Sequence, residues 1–300
     1  MVEWLNFENC PVCSRRNIVL FKKGNFPPHN LVPEAVKITD SSYGRLWSLF
    51  RCQDCGHIFA NPCPSPSTVA QLYRQINDPA YEEEAAGRAQ NFKPILNQLD
   101  RYFPQKGKLL DIGAATGIFL ALAREKGWEV SGIEPSAWAV GVATKKYNLD
   151  LIPASFEEAK LPANYFRVVT MIDFIEHIPH PLEAVRKAAH LLEPLGVLVI
   201  VTPNIKSLAA RVAGAKWWHF RPAHLAFFTA SSLQELLAEA GFQTKKSSSY
   251  SWTFSLFYLI SRFRFLRPIW NQPKVALLTK KVRVKLALGD SFLIYAQKKE

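Results

Sequence analysis

Residues 108–117 read KLLDIGAATG: an apolar run, Leu109-Leu110, closing on the acid Asp111, then Gly113 and Gly117 around three small residues. Residues 118–122 continue in an apolar, helix-like pattern. Strand, glycine turn and helix follow in that order. Such a turn lets backbone approach a ligand closely and aims helix N-terminal N–H groups at it. The dinucleotide fingerprint G-x-G-x-x-G is not met, because Ala115 stands where its middle glycine belongs.

Downstream, residues 128–134 form a second strand signal ending on Glu134, 21 positions beyond Gly113. A carboxylate about 20 residues after the first glycine is placed to accept hydrogen bonds from ribose hydroxyls; a surface acid at a strand end is the alternative. Residues 137–146 read as a helix and 149–153 as a short strand, followed by Ser155 and Phe156. The strand signal at 165–173 closes on Asp173 and is followed by Phe174 and Glu176-His177. After a helix at 182–192, residues 197–201 make the unbroken branched run VLVIV, the pattern of a parallel strand buried on both faces. Five strand signals alternating with helices predict a doubly wound α/β domain with its ligand residues at the C-terminal strand ends.

The hydrophobic-hydrophobic-Asp-hydrophobic-Gly-x-x-x-Gly stretch at 109–117, Glu134, the D-x-x-E-H step at 173–177 with His180-Pro181, and the LLEPLG turn at 191–196 resemble the class I S-adenosylmethionine-dependent methyltransferases over about 109–240. The resemblance implies a Rossmann-like, mainly parallel seven-stranded sheet whose antiparallel closing pair falls at 242–250 and 292–296. It implies S-adenosylmethionine held by Asp111, Gly113, Ala115, Gly117, Glu134, Ser155, Phe156, Asp173 and Phe174, with adenine between an apolar side chain, Phe156, and a backbone N–H. Ser155 and Arg167 stand where an acid is common, so both depart from the family pattern.

Methyl transfer from a sulfonium is an in-line displacement, so the protein has to position the partners and take a proton from the nucleophile. Imidazole, titrating near pH ~6.5, suits that work. His177 follows the fourth strand and His224 the fifth. In the resembling sugar C-methyltransferases a histidine in the context of AHLAFFT (223–229) is the general base, which makes His224 the first candidate; a structural histidine anchoring the loop is the alternative. His177 is expected to shape the cofactor's methionine pocket or to act directly, with His219 a weaker candidate. Tyr81, in the helical region 67–103, faces the substrate or packs as core, as does Tyr73.

Two Cys-x-x-Cys pairs, Cys10/Cys13 and Cys52/Cys55, flank 38 intervening residues. Four thiolates satisfy a tetrahedral Zn²⁺ with no open position, which makes such a site structural; a redox pair or idle buried thiols are the alternatives. His57 is expected to pack, and Cys63 to be a spare thiol. The predicted organisation is a zinc-ribbon-like module at 1–64, a helical linker or lid at 65–105, and the methyltransferase domain at 106–300. In the linker Ser67 is expected as a helix cap, and Pro94 to kink or break a helix over 82–102. Ribbon and histidine motif together resemble methyltransferases of sugar, cell-surface polysaccharide and natural-product pathways. They imply a sugar, nucleotide-sugar or lipid-linked saccharide acceptor.

Residues 205–300 carry 16 Lys/Arg against four acids, which accounts for the whole net charge of +12. Such a field favours phosphate-bearing substrates, anionic membranes or nucleic acid, or is a solvated surface. The insertion at 253–285 interleaves Phe254, Phe257, Tyr258, Ile260, Phe263 and Phe265 with Arg262, Arg264 and Arg267. A helix of that composition suits a membrane interface, but its apolar residues fall on too many faces, favouring a lid over the substrate pocket. An RNA methyltransferase or RNA-binding zinc-ribbon protein is the rival; the basic residues do not cluster in the ribbon and no aromatic-glycine RNA signature is present. The expected partner is a small molecule, phosphorylated or lipid-linked, with peripheral membrane contact compatible. No basic-then-apolar signal opens the chain, and 252–260 is too short to span a bilayer. A cytoplasmic setting with reduced cysteines is the expectation.

Overall fold

The computed structural model describes residues 2–262 and 273–299. The N-terminal segment contributes five short strands, β1 (Trp4–Leu5), β2 (Ile18–Lys22), β3 (Leu49–Cys52), β4 (Ile58–Ala60) and β5 (Cys63–Pro64). Helices α1 (Pro66–Arg74), α2 (Pro79–Glu83) and α3 (Ala85–Tyr102) lead into β6 (Lys108–Ile112), α4 (Ile118–Glu125), β7 (Glu129–Ile133) and α5 (Ala137–Tyr147). Then come β8 (Phe166–Ile172), α6 (Pro181–Leu191), β9 (Leu192–Pro203), α7 (Leu208–Ala213), β10 (Ala226–Phe227) and α8 (Ala230–Glu239). The chain closes with β11 (Phe242–Ser249), β12 (Trp252–Ser255), α9 (Leu256–Ser261), α10 (Pro273–Lys281), β13 (Arg283–Leu286) and β14 (Ser291–Lys298).

The main sheet has the order β11-β14-β9-β8-β6-β7. Four strands, β6 to β9, are parallel, and β14 and β11 close the sheet antiparallel. This is the Rossmann-like doubly wound architecture expected. The strand order reverses on either side of β6, and Asp111 lies level with Gly132 of β7 and Thr170 of β8. Gly113, Glu134 and Asp173 therefore emerge at one sheet edge, at the switch point where such folds bind ligands. Alternate side chains enter opposite cores: Leu110, Val169, Leu198 and Ile200 on one face, Leu109, Val168, Val199 and Val201 on the other. The period of two explains why these strands read as continuous apolar runs, and each such burial contributes about 1.5–3 kcal/mol.

Several local expectations change. The strand expected at 149–153 is a single bridge, Ile133 to Ile152, leaving six full strands. Pro153 has no N–H with which to extend that ladder. The helix over 82–102 breaks at Glu84, whose carboxylate accepts from the backbone N–H of Ser255 at 2.9 Å; Pro94 lies inside α3 without ending it. The cap of α1 is Ser65 instead of Ser67: its Oγ accepts from Thr68 N, and Pro66 occupies the first helical position, where a missing N–H costs nothing. Cys63 is a buried residue of β5. Among the described residues the insertion is a β12–β13 pair with helices α9 and α10 between the two strands; Phe263, Arg264, Phe265 and Arg267 lie outside the described residues. No helix among the described residues is long and apolar enough to cross a membrane.

A second sheet, β10-β4-β3-β2, carries Cys52 at the end of β3, with Cys55 in the turn before β4. Its edge strand β10 comes from the segment carrying His224, pairing Ala226 with Phe59 and Phe227 with Ile58.

Candidate active site

The loop after β6 takes left-handed backbone at Gly113, Ala115 and Gly117, with φ of 75°, 47° and 81°. A Cβ at Gly113 would meet the Phe174 ring at 3.0 Å, and one at Gly117 would meet Leu149 at 2.7 Å. Ala115 accepts the strain that a glycine would avoid. Its N–H donates to Glu134 Oε2 at 2.8 Å, and the Ser136 N–H donates to Oε1 at 2.8 Å. Two backbone donors thus fix the carboxylate beside the loop, and each oxygen keeps a lone pair for a further donor. Burial pushes the Glu134 carboxyl up to about 7.

Two adjoining cavities open along this edge. Glu134, Ser155, Phe156 and Phe174 line the first. Asp111 and His224 line the second, of about 500 Å³, together with Trp218, His219 and Trp252. Gly113, Ala115, Asp173, His177 and Tyr81 wall both. Gly117 lines neither and instead caps α4. Phe156 packs edge-on against Phe174 at 6.1 Å. The Ser155 N–H is already given to Glu158 Oε2 at 3.0 Å, while Lys187 ties down the loop by donating to the carbonyls of Phe156 and Ala159. Arg167 pairs with Glu193 at 2.6 Å, at the start of β8 and away from the ligand edge.

The second cavity is rich in groups with displaced ionisation. Burial pushes Asp111 up to about 7, although Thr170 donates a hydrogen bond to it at 2.5 Å. Burial likewise pushes Asp173 up to about 7, opposed by Arg88 and Arg221, and Glu176 well above its usual range. A cationic ligand would favour the ionised form of all three. His177 Nδ1 lies 2.8 Å from the Tyr73 hydroxyl and 2.9 Å from the Ala223 carbonyl. Its ring stands edge-on to His224 at 4.7 Å, and His219 stacks on His224 at 5.6 Å. Burial holds His177 down to about 3 and His224 well below the imidazole range. His224 Nδ1 is buried with no hydrogen-bond partner among the described residues. A Glu176 oxygen and one nitrogen each of His177 and His224 lie within 4.8 Å of one another. His219 Nε2 is 3.4 Å from Asp290 Oδ2, which also accepts from Trp218 Nε1 at 2.9 Å. Burial lifts the Tyr81 hydroxyl to about 12, and the Arg88 guanidinium lies 3.6 Å from the centre of its ring.

Asp290, Arg88, Trp218 and Trp252 escaped the motif reading. They come from a helix interior, a turn and the insertion, and no spacing rule links them. The turn signal Gly289-Asp290 before a strand was the one available hint.

Outside both cavities, Cys10 and Cys55 approach to 3.6 Å, as do Cys13 and Cys52, and all four sulfurs lie within 4.8 Å of one another. Four sulfurs at ~2.3 Å from a tetrahedral zinc would be separated by about 3.8 Å, so the cluster fits that ion. His57 stacks on Phe59 and packs against Phe228, fully buried.

A family model described as a methyltransferase domain matches residues 81–246. The ubiquinone biosynthesis O-methyltransferase of Azoarcus sp. (strain BH72) is 32% identical over 146 residues, covering 43% of this chain and 62% of that protein. The protein of the same name from Thiobacillus denitrificans is 30% identical over 177 residues, covering 52% and 76%. The chain therefore spans less than two thirds of the first relative. In fold alone, it resembles Burkholderia thailandensis 1,6-didemethyltoxoflavin-N1-methyltransferase, solved with bound 1,6-didemethyltoxoflavin and S-adenosylhomocysteine. That match has a TM-score of 0.51 at 17% identity over 83% of this chain and 98% of the other.

Proposed function

The chain belongs to the methyltransferase-domain family, and from that premise we propose that it is a class I S-adenosylmethionine-dependent small-molecule methyltransferase that methylates an oxygen of a ring-bearing acceptor, with His224 as general base. The observation that carries this reading is the second cavity, where aromatic walls adjoin a buried, neutral imidazole with an uncommitted nitrogen. The O-methyltransferase names of the relatives support an oxygen acceptor.

In this reading Glu134 receives the ribose hydroxyls and Asp111 and Asp173 face the cationic methionine end. S-adenosylmethionine, when bound, supplies the electrophilic methyl group and its thioether leaving group. His224 takes the proton from the acceptor hydroxyl as its oxygen attacks, and Glu176, its ionised form favoured by the cationic cofactor, steadies the imidazolium that forms. Tyr81 borders both cavities and positions the acceptor. A sugar acceptor, nucleotide-linked or lipid-linked, is the second reading, supported by the union of the cysteine sheet with the 223–229 segment through β10. Neither the family match nor the relatives point to RNA.

Transfer of labelled methyl from S-adenosylmethionine to 3,4-dihydroxybenzoate, set against free and nucleotide-linked sugars, tests the proposal. The expected product is a methoxy group, identified by NMR; a label found on carbon or nitrogen sinks the oxygen-acceptor reading.

We also assign a structural zinc to Cys10, Cys13, Cys52 and Cys55. Metal analysis of purified protein should return about one zinc per chain, since the four thiols complete a single tetrahedron. Cys52→Ser should lose the metal and melt several degrees lower; a metal-free wild-type protein with an unchanged melting temperature removes the site.

A further inference from the structure

The acceptor cavity contains a cation that the proposed chemistry leaves unused. Arg88 sits on α3, which is bound to β12 on either side of it. Glu84 accepts from Ser255 N at 2.9 Å, and Asn91 both donates to Thr253 O at 3.2 Å and accepts from Thr253 N at 2.6 Å. The side chain is 8% exposed and walls the second cavity. Its Nε donates to the Tyr81 carbonyl at 3.3 Å and its plane lies over the Tyr81 ring. Among the described residues it forms no ion pair with a carboxylate. A buried guanidinium that makes no direct ion pair, with Asp173 acting on it only at longer range, is costly unless something supplies a counter-charge, and a fork held this rigidly is preorganised for a two-oxygen anion.

The acids around the same cavity are engaged elsewhere. Asp111 accepts from Thr170, Glu176 from Thr202, and Asp290 from Trp218. Asp173, whose ionised form Arg88 favours, stands on the boundary with the first cavity, on the cofactor side. Two more arginines add positive field without carboxylate partners among the described residues. Arg221 is anchored on the carbonyls of Lys37, Ile38 and Asp40, and Arg262 lies 3.9 Å from the Tyr258 ring centre. Along the wall, Phe254 stacks on Tyr258 at 5.1 Å and 11°, with Trp252 continuing the stack at 22°. That surface suits a flat ring.

We infer that the acceptor carries an anionic group, a carboxylate or a phosphate, received by Arg88 beside the aromatic wall of β12 and α9. The inference rests on the second cavity being the acceptor site, and binding tests it without turnover. Calorimetric titrations of full-length protein saturated with S-adenosylhomocysteine would use 3,4-dihydroxybenzoate, its neutral amide, phenyl phosphate and phenol. Each anion should bind about tenfold or more tighter than its neutral partner. The tighter of the two anions, each taken against its neutral partner, identifies the source of the charge. Arg88→Gln should bring the acid to the affinity of the amide, and Arg88→Lys should restore part of the difference. Equal binding of acid and amide by the wild type, binding of neither, or an undiminished ratio in Arg88→Gln overturns the subsite. Unchanged S-adenosylhomocysteine affinity shows that the variant is folded, and the wild-type ratios stand if it is not. An intact anion preference with methylation at carbon would remove the oxygen-acceptor reading and leave the subsite standing.

Discussion

His224→Gln should lower single-turnover methyl transfer by about 10²- to 10⁴-fold and leave S-adenosylmethionine affinity within about twofold. Glutamine approximates the size and polarity of the imidazole but cannot take a proton. Within the cluster of Glu176, His177 and His224, the loss falls on the step in which the hydroxyl is deprotonated. The wild-type imidazole is held well below its usual pKa by burial and by His177. It therefore stays unprotonated as pH falls through 6.5, and the base itself imposes no loss of rate there. Its proton affinity in the reacting complex has to come from Glu176, so Glu176→Gln should slow the same step. A His224→Gln enzyme that turns over at the wild-type rate would pass the role to His177 or to the His219–Asp290 pair.

Glu134→Ala should weaken S-adenosylmethionine binding by about 100-fold, roughly 2.7 kcal/mol. The substitution removes the acceptor of two ligand hydroxyls and also strands the Ala115 and Ser136 N–H donors that shape the loop. Glu134→Gln should rescue little, because its amide nitrogen would face one of those donors. Calorimetry settles both, and affinity unchanged by either variant rules out the ribose assignment. The same titration carries a pH signature. Burial raises Asp111, Glu134 and Asp173 to about 7, and a cationic ligand favours their ionised forms, so affinity should rise from pH 6 to pH 8. Stability of the ligand-free chain runs the other way. The folded carboxyls hold protons that the unfolded chain has released, so their contribution is lost as pH rises toward the folded pKa. Depressed histidines, His57 and His177 at about 3, oppose this only up to their ordinary value of 6.5. The ligand-free melting temperature should therefore fall between pH 6.5 and 8, while the gap opened by S-adenosylmethionine widens.

The parallel sheet and its ligand edge were legible because their signals are local. An apolar run, an acid and a glycine turn decide one strand end, and the same grammar repeats at Glu134 and Asp173. The short segment at 149–153 misled because its composition suits a strand while Pro153 withholds the next hydrogen bond. Ser65 displaced Ser67 as cap because Pro66 sets where the helix begins. Although the aromatic insertion that holds Phe254 and Tyr258 reads as a cover for the pocket they line, Arg88, Asp290 and Trp252 were illegible for another reason. Their importance comes from packing α3 against a hairpin more than 160 residues away, and neither periodicity nor motif encodes such a meeting.

That β10 pairs with β4 gives the chain a mechanical property. The four cysteines stand early in the sequence and the proposed base late, yet β3, which ends on Cys52, and β10, which begins two residues after His224, belong to one hydrogen-bonded sheet. Loosening the cysteine cluster would release the strand that begins two residues after His224. The proposed zinc would then anchor the strand beside the proposed base while taking no part in the chemistry. Trimming the cysteine segment away would remove β3 and β4 and with them the strand partner of β10, next to the proposed base.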